Sequence, residues 1–339
     1  MNKINKIKPI ISVVIPVYNV EKFLRLALNS VKNQTFKNFE AIIVNDASTD
    51  NSLKVVNDFL VDSRFKLCNC KINGGLSKAR NMGTKLAKGK YIYYFDSDDI
   101  LPTNLFENLL KNFDEKIDLI SFNYCNLSVQ SVSKITQIKS IIQYDHVGLM
   151  DLVLKDQINH APWSYIFKRQ ILIDNPYITF PNGHNFEDIS FNVELFSKVN
   201  NVKIINFSPA GYFYRDGRSG SISNSFDGEK LNNQIEDKLF LDDIKYNILL
   251  KEIKSKRKVD MWYVNELCEM YIEYKEYLLK NSYNISSSTD MLLKKVVKKI
   301  KNKKYILRYL PLKQKIKSEI ILIPIFRNIL IRLLIIKRS

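Results

Sequence analysis

The stretch Ile10-Ile11-Ser12-Val13-Val14-Ile15-Pro16-Val17-Tyr18-Asn19 opens on mostly β-branched apolar residues, meets Pro16 and then turns polar. A short apolar run of this kind is a strand buried on both faces, as in a parallel sheet. Immediately after it, Val20, Phe23, Leu24, Ala27, Leu28 and Val31 recur at helical spacing, which gives an amphipathic helix. The alternation then repeats. Residues 39–44 read as a strand closing on Asn45-Asp46, 53–60 as a helix, and 65–69 as a strand. Residues 75–87 read as a helix and 90–95 as a strand closing on Asp96. Strands alternating with helices predict an α/β fold built on a mostly parallel sheet flanked by helices.

In open sheets of this type ligands bind outside the carboxyl ends of the strands. Three of those ends carry polar groups here: Tyr18-Asn19, Asn45-Asp46 and Asp96-Ser97-Asp98. That clustering predicts a site before any likeness is considered. Further on, strands are expected at 119–124, 163–167, 202–207 and 212–214, with helices at 147–154 and 188–198. Residues 227–279 are helical and charged, 281–289 read as a polar Ser-rich linker, and a basic tail follows. The expected organisation is an α/β domain over 1–225, a helical extension over 226–285 and a basic amphipathic tail over 286–339.

The net charge is +17, but it is unevenly spread. Residues 291–339 hold fifteen Lys or Arg and one acid, Glu319, so the tail carries +14 and the rest about +3. A near-neutral body with a basic tail points to an anionic surface and away from nucleic acid. Cys68, Cys70, Cys125 and Cys268 form neither a disulfide framework nor a zinc pattern. The apolar stretch near the N-terminus is short, is broken by Pro16 and precedes no small-residue cleavage site, so it reads as a strand and not as a signal peptide.

Asp96-Ser97-Asp98 follows the apolar strand 91–95. Carboxylates two apart at a strand end can point to one side. Hard oxygen ligands there suit Mg²⁺ or Mn²⁺ bridging a diphosphate, with Asp98 and Asp96 as ligands; an acidic turn before the next helix is the alternative. Asp46 can accept the N–H of a pyrimidine base, whereas Asp50 or Ser52 suits a helix cap. In 73–83, Gly74 and Gly75 let the backbone approach a ligand. There Arg80 either faces a carboxylate or phosphate in a fork or lies on a solvated helix face. Glu187-Asp188 opens a helix, where acids are favoured by the dipole alone, or supplies a general base. Arg215 and Arg218 lie in a Gly-containing loop suited to closing over a diphosphate. His184 is a weaker candidate for a third metal ligand or an acceptor contact. Trp163 reads as core.

Taken in order, residues 12–19, 44–52, 73–83, 91–101, 163–169, 180–191 and 212–221 resemble glycosyltransferase family 2, the inverting enzymes of GT-A fold. Each segment alone is weak, and the ordered set over two-thirds of the chain is specific. The resemblance implies a GT-A nucleotide-diphospho-sugar transferase fold with a helical C-terminal extension. It implies a UDP-sugar donor, a divalent metal, Mn²⁺ or Mg²⁺, and a glycan or lipid-linked acceptor in bacterial cell-surface polysaccharide synthesis. By it Val17, Tyr18 and Asp46 hold the base, Asp96 sits near the ribose, Asp98 binds the metal and Asp188 is the catalytic base. Arg80, Arg215 and Arg218 go to the diphosphate. Pro16, Asn19, Glu21, Asn73, Gly74 and Ser97 complete the expected donor-binding set. Two departures stand out: Asn45 replaces a frequent aspartate and Ala47 a frequent glycine.

Residues 320–336 hold thirteen large apolar residues, interrupted by Pro324, Arg327, Asn328 and Arg332. The two Arg cost about as much at a bilayer centre as the apolar residues return. The tail is therefore expected to lie in an interface and not to span it, placing a peripheral protein on the cytoplasmic face of the inner membrane. The rival classes are a nucleotidyltransferase and a non-enzymatic basic membrane-surface protein. The first would not need Glu187-Asp188 in that context. The second predicts a basic body, which this chain lacks.

Overall fold

A computed structural model describes residues 8–127, 134–216, 231–280 and 287–322. The chain divides into two compact units, Met1–Gly183 with Phe191–Ser219, and His184–Ser190 with Gly220–Ser339.

The first unit is built on β1 (Ile11–Val17), whose seven residues are all buried. It pairs in parallel with β2 (Phe39–Asn45) on one side and β4 (Tyr91–Tyr94) on the other, and β2 pairs in parallel with β3 (Phe65–Asn69). β8 (Tyr165–Lys168) then runs antiparallel between β4 and β5 (Leu119–Phe122). β9 (Asn201–Ser208) lies parallel to β5, and β7 (Gln137–Asp145) closes the edge antiparallel to β9. The eight-stranded order is β3-β2-β1-β4-β8-β5-β9-β7, and β6 (Tyr124–Asn126) with β10 (Tyr212–Tyr214) forms a small parallel pair. Two antiparallel steps across β8 restore direction, so β1 to β5 and β9, apart from β6, β7 and β8, all end at one edge. The polar strand ends picked out from the sequence therefore fall on a common rim.

Helices α1 (Glu21–Lys32), α2 (Ser52–Phe59), α3 (Leu76–Leu86) and α4 (Leu105–Asn112) follow β1 to β4 in turn. One face of the sheet packs Ile11, Val13, Ile15, Tyr93 and Phe95 with Leu24, Leu28, Phe106 and Leu109 in a continuous core. On the other face, α3 comes so close to the sheet that a Cβ added to Gly83 would lie 2.4 Å from Val14 Cγ1. Helices α5 (His146–Leu154) and α6 (Gln170–Asp174), with residues 191–196 of α7 (Glu187–Phe196), complete the α/β part. In α7, Phe191 stacks on Phe180 at 3.8 Å between ring centres and meets Tyr94 edge-on.

The second unit is helical: α8 (Leu231–Glu252), α9 (Lys256–Lys280), α10 (Ser287–Asn302) and α11 (Leu312–Leu322). Leu239, Leu241, Val264 and Leu267 are buried with Leu293, Val296 and Ile300 of α10. Lys299, Lys303 and Lys317 pair with Asp243, Asp260 and Glu269. Part of the tail's charge therefore answers acids of α8 and α9.

Several segments differ from expectation, among them the short helix α6 and the separate strand β6. β7 was not anticipated, because it is an edge strand with mostly exposed residues and no apolar alternation to mark it. Ser287, Ser288 and Thr289, read as the end of a linker, form the first turn of α10. Among the described residues no helix is long and apolar enough to cross a membrane.

Candidate active site

The rim of the first unit is held by loops that hydrogen-bond one another. The Val17 carbonyl accepts the Asp46 amide at 2.9 Å, fixing the end of β2 beside the end of β1. Pro16 and Val17 are buried in the strand, whereas Tyr18 and Asn19 emerge into solvent. Asn19 adopts φ +50° and its side chain accepts the Thr49 amide at 2.8 Å. Asp50 accepts the amides of Glu21 and Ser52 at 3.0 and 2.9 Å, and Glu21 in return accepts the Asn51 amide at 2.7 Å. Asp50 thus accepts the first amides of α1 and α2, a helix-end role although the N-cap position of α2 is Asn51. The carboxylate of Glu21, expected in the donor-binding set, is engaged by the backbone of the neighbouring loop.

Asp46 is 3% exposed. Its carboxylate accepts the Gly74 amide at 2.8 Å and the Gly75 amide at 2.7 Å. Gly75 takes φ +83°, a conformation that suits glycine and turns both amides toward one carboxylate. The chain after β2 and the Gly-Gly turn before α3 are thereby joined, with Asn73 exposed beside them. Asn45 donates to Asn69 at 2.7 Å, and Ala47 stands at φ +56°. The left-handed backbone at Ala47 is one that glycine adopts more readily.

Arg80 is buried on the inner side of α3, 2% exposed, and not on a solvated face. Its Nη2 donates to Asp96 Oδ1 at 3.0 Å, and its guanidinium lies 5.2 Å from the centre of the Phe180 ring. One residue further on, Asn81 donates to the Phe180 carbonyl at 2.7 Å and accepts the Phe180 amide at 2.9 Å. Asn81 was not singled out in the sequence, although it aligns the segment that Arg80 packs on.

Arg215 reaches the acidic turn from β10. Its Nε donates to the Asp98 carbonyl at 2.8 Å, its amide donates to Asp99 Oδ1 at 2.6 Å, and its guanidinium lies 4.6 Å from the Phe23 ring centre. The Tyr212 hydroxyl donates to the other oxygen of Asp99. Burial, with Asp98 and Asp96 beside it, pushes the Asp99 carboxyl up to about 8. Asp99 is therefore the carboxyl that bolts β10 to the turn, distinct from the half-buried Asp96 and Asp98; Ser97 between them is buried. Trp163 is core as expected, stacked on Tyr212 at 4.3 Å. Arg218 lies outside the described residues.

Asp188 belongs to the second unit, half-buried in the first turn of α7 beside Glu187. The residue before that turn, Phe186, has φ +59°. Asp237 of α8 accepts His184 Nδ1 at 2.7 Å and the Asn185 amide and side chain at 2.8 Å each. His184 also stacks on Phe240, with 5.2 Å between ring centres. Its Nδ1 is thus engaged by Asp237, a residue that no sequence motif marks. Among the described residues no three His, Cys, Asp or Glu are grouped to hold a metal by themselves.

A parallel-sheet rim carrying an acidic turn, a Gly-Gly turn and two arginines defines a fold of the GT-A type. The solved structure of S. aureus TarS 1–349 with UDP-GlcNAc has the same architecture, with TM-score 0.60 and 19% identity over 92% of this chain and 90% of that one. The profile of glycosyl transferase family 2 matches residues 12–170. Among proteins of known sequence, glycosyltransferase GlyG of Streptococcus pneumoniae is 30% identical over 63% of this chain and 72% of its own length. The uncharacterized glycosyltransferase EpsJ of Bacillus subtilis is 30% identical, and the match covers 61% of each chain. The chain belongs to glycosyl transferase family 2.

Proposed function

We propose that the protein transfers a sugar from a nucleotide-diphosphate sugar, specifically a UDP-sugar, to a hydroxyl of a glycan or lipid-linked acceptor, with inversion, in bacterial cell-surface polysaccharide synthesis. The observation that carries this reading is the convergence on one sheet rim of Asp46 on the Gly74-Gly75 turn, Arg80 on Asp96, and Arg215 on the Asp98 carbonyl. The likeness to TarS, whose structure holds UDP-GlcNAc, supports the choice of donor.

Tyr18 and Asp46 frame the base, and Asp96 stands toward the ribose. Arg80 and Arg215 supply positive charge beside the diphosphate. Asp98, with Asp96, fits a divalent ion, because Mg²⁺ and Mn²⁺ take one or two carboxylates when substrate phosphates supply the remaining oxygens. Such an ion, when bound, offsets charge on the departing diphosphate. Asp188 removes the proton from the acceptor hydroxyl. That oxygen attacks the anomeric carbon from the face opposite the diphosphate, the carbon–oxygen bond to phosphate breaks, and configuration inverts. The acceptor, if lipid-linked, places the enzyme at the cytoplasmic face of the membrane.

The test is release of nucleoside diphosphate from a panel of nucleotide sugars, with Mn²⁺ or with chelator and with membrane lipid extract as acceptor. Asp188→Asn should lose transfer by about a hundredfold or more while keeping donor binding, and Asp98→Ala should lose the metal response. Wild-type transfer by Asp188→Asn would remove it as the base.

A further inference from the structure

Among the described residues, most cations of the tail fall into two sets, while Lys315 faces Glu319 within α11. Lys299, Lys303 and Lys317 are turned inward onto acids of α8 and α9. On α10 the buried residues Leu292, Leu293, Val296 and Ile300 occupy one side of the helix. Lys294, Lys295, Lys298 and Lys301 are exposed with Met291 on the opposite side, within roughly a third of the helix circumference at 100° per residue. Among the described residues, Lys294 pairs with Asp290 one turn earlier. Beyond α10 the exposed cations Lys304, Arg308 and Lys313 are interspersed with Tyr305, Tyr309, Leu312 and Ile316, also exposed; Leu312 is 74% accessible.

We infer that this face of α10 and the turn after it dock on an anionic lipid bilayer. A solvated basic face needs no large apolar residues, and a phosphate backbone has no use for Met291, Leu312 or Ile316. The boundary between lipid headgroups and acyl chains takes both, with lysines at the phosphates and apolar tips just below. The inference rests on the membrane-surface part of the proposed function and is independent of the transfer chemistry. It places the contact on folded helix, upstream of residues 320–336.

Each basic residue near an anionic surface contributes roughly fivefold to binding, so four together contribute roughly several hundredfold. The experiment is co-sedimentation of the full chain with vesicles of phosphatidylglycerol and phosphatidylcholine, or of phosphatidylcholine alone, at about 0.1 M salt, where the Debye length is about 10 Å. The wild type should bind the anionic vesicles only. A variant carrying Lys294→Gln, Lys295→Gln, Lys298→Gln and Lys301→Gln should bind roughly several hundredfold less, with circular dichroism and donor binding unchanged. Wild-type binding by this variant would overturn the assignment to α10 while leaving the membrane setting to residues 323–339. No binding by the wild-type chain would overturn both, and nucleoside diphosphate release would still test the transferase reading. Displacement from vesicles by a DNA duplex at equal phosphate concentration would overturn the choice of a bilayer.

Discussion

The carboxylate of Asp237 holds the imidazole of His184 at 2.7 Å and, through its other oxygen, both the amide and the side chain of Asn185. Three donors from the segment that leads into Glu187-Asp188 thus end on one buried acid. Asp237→Ala leaves those donors without their acceptor, at a cost of about 1–3 kcal/mol. On the proposal that Asp188 is the base, small displacements of it cost rate steeply, so kcat should fall roughly ten- to a hundredfold. The KM for donor should stay within about twofold. Steady-state kinetics on Asp237→Ala and Asp237→Asn decide it, and an unchanged kcat would show that the turn holds itself.

Gly83 is required by packing and not by backbone conformation. An added Cβ would lie 2.4 Å from Val14 Cγ1 and 3.3 Å from Val44 Cγ2, both on buried strands. Overpacking of this kind costs about 1–3 kcal/mol, against roughly 1 kcal/mol gained in helix propensity. Gly83→Ala should therefore destabilise by about 1 kcal/mol in denaturant unfolding. The loss should be smaller in a Val14→Ala background than in the wild type.

The strands that carry the rim were legible because each is a short apolar run ending in polar residues; β10 begins and ends where its Tyr-Phe-Tyr pattern does. The rim itself was legible for the same reason, since topology alone brings the ends of parallel strands together. What escaped were contacts made at long sequence distance. Asp237 lies among other acids on α8, and nothing local separates it from Asp242 or Asp243. Asn81 meets Phe180 from ninety-nine residues away. Asp99 was visible only as the third acid of its turn, and its burial against Tyr212 is a tertiary fact.

Ala47 stands at φ +56°, where the resemblance had marked a missing glycine. An alanine held there costs about 1–2 kcal/mol, while glycine would lose roughly 0.5–1 kcal/mol in chain entropy. Ala47→Gly should accordingly be neutral or stabilising by up to about 1 kcal/mol. Ala27→Gly, inside α1 and buried, should destabilise by at least that much. Thermal unfolding of the two variants side by side makes the comparison, and a loss of stability in Ala47→Gly would mean that the loop does not hold this conformation in solution.

Asp260 should make the helical unit sensitive to acid. Burial alone would raise its pKa, but Lys256, Lys303, Tyr305 and Tyr246 all donate to it and hold it well below the usual carboxylate range. A carboxylate depressed in the folded state binds a proton more weakly there than in the unfolded chain. Its contribution is therefore complete above the unfolded value near 3.9 and is lost as pH falls below it. Hydrogen exchange of α9 and α10 amides should be level from pH 7 to 5 after correction for intrinsic rates, and protection should fall below about pH 4. Asp260→Asn leaves Lys303, whose side chain is 18% exposed, without its carboxylate. That variant should be less stable at neutral pH by roughly 3 kcal/mol, and its acid limb should be shallower because the titrating group is gone. An acid limb of equal slope in both proteins would assign the sensitivity to other carboxylates.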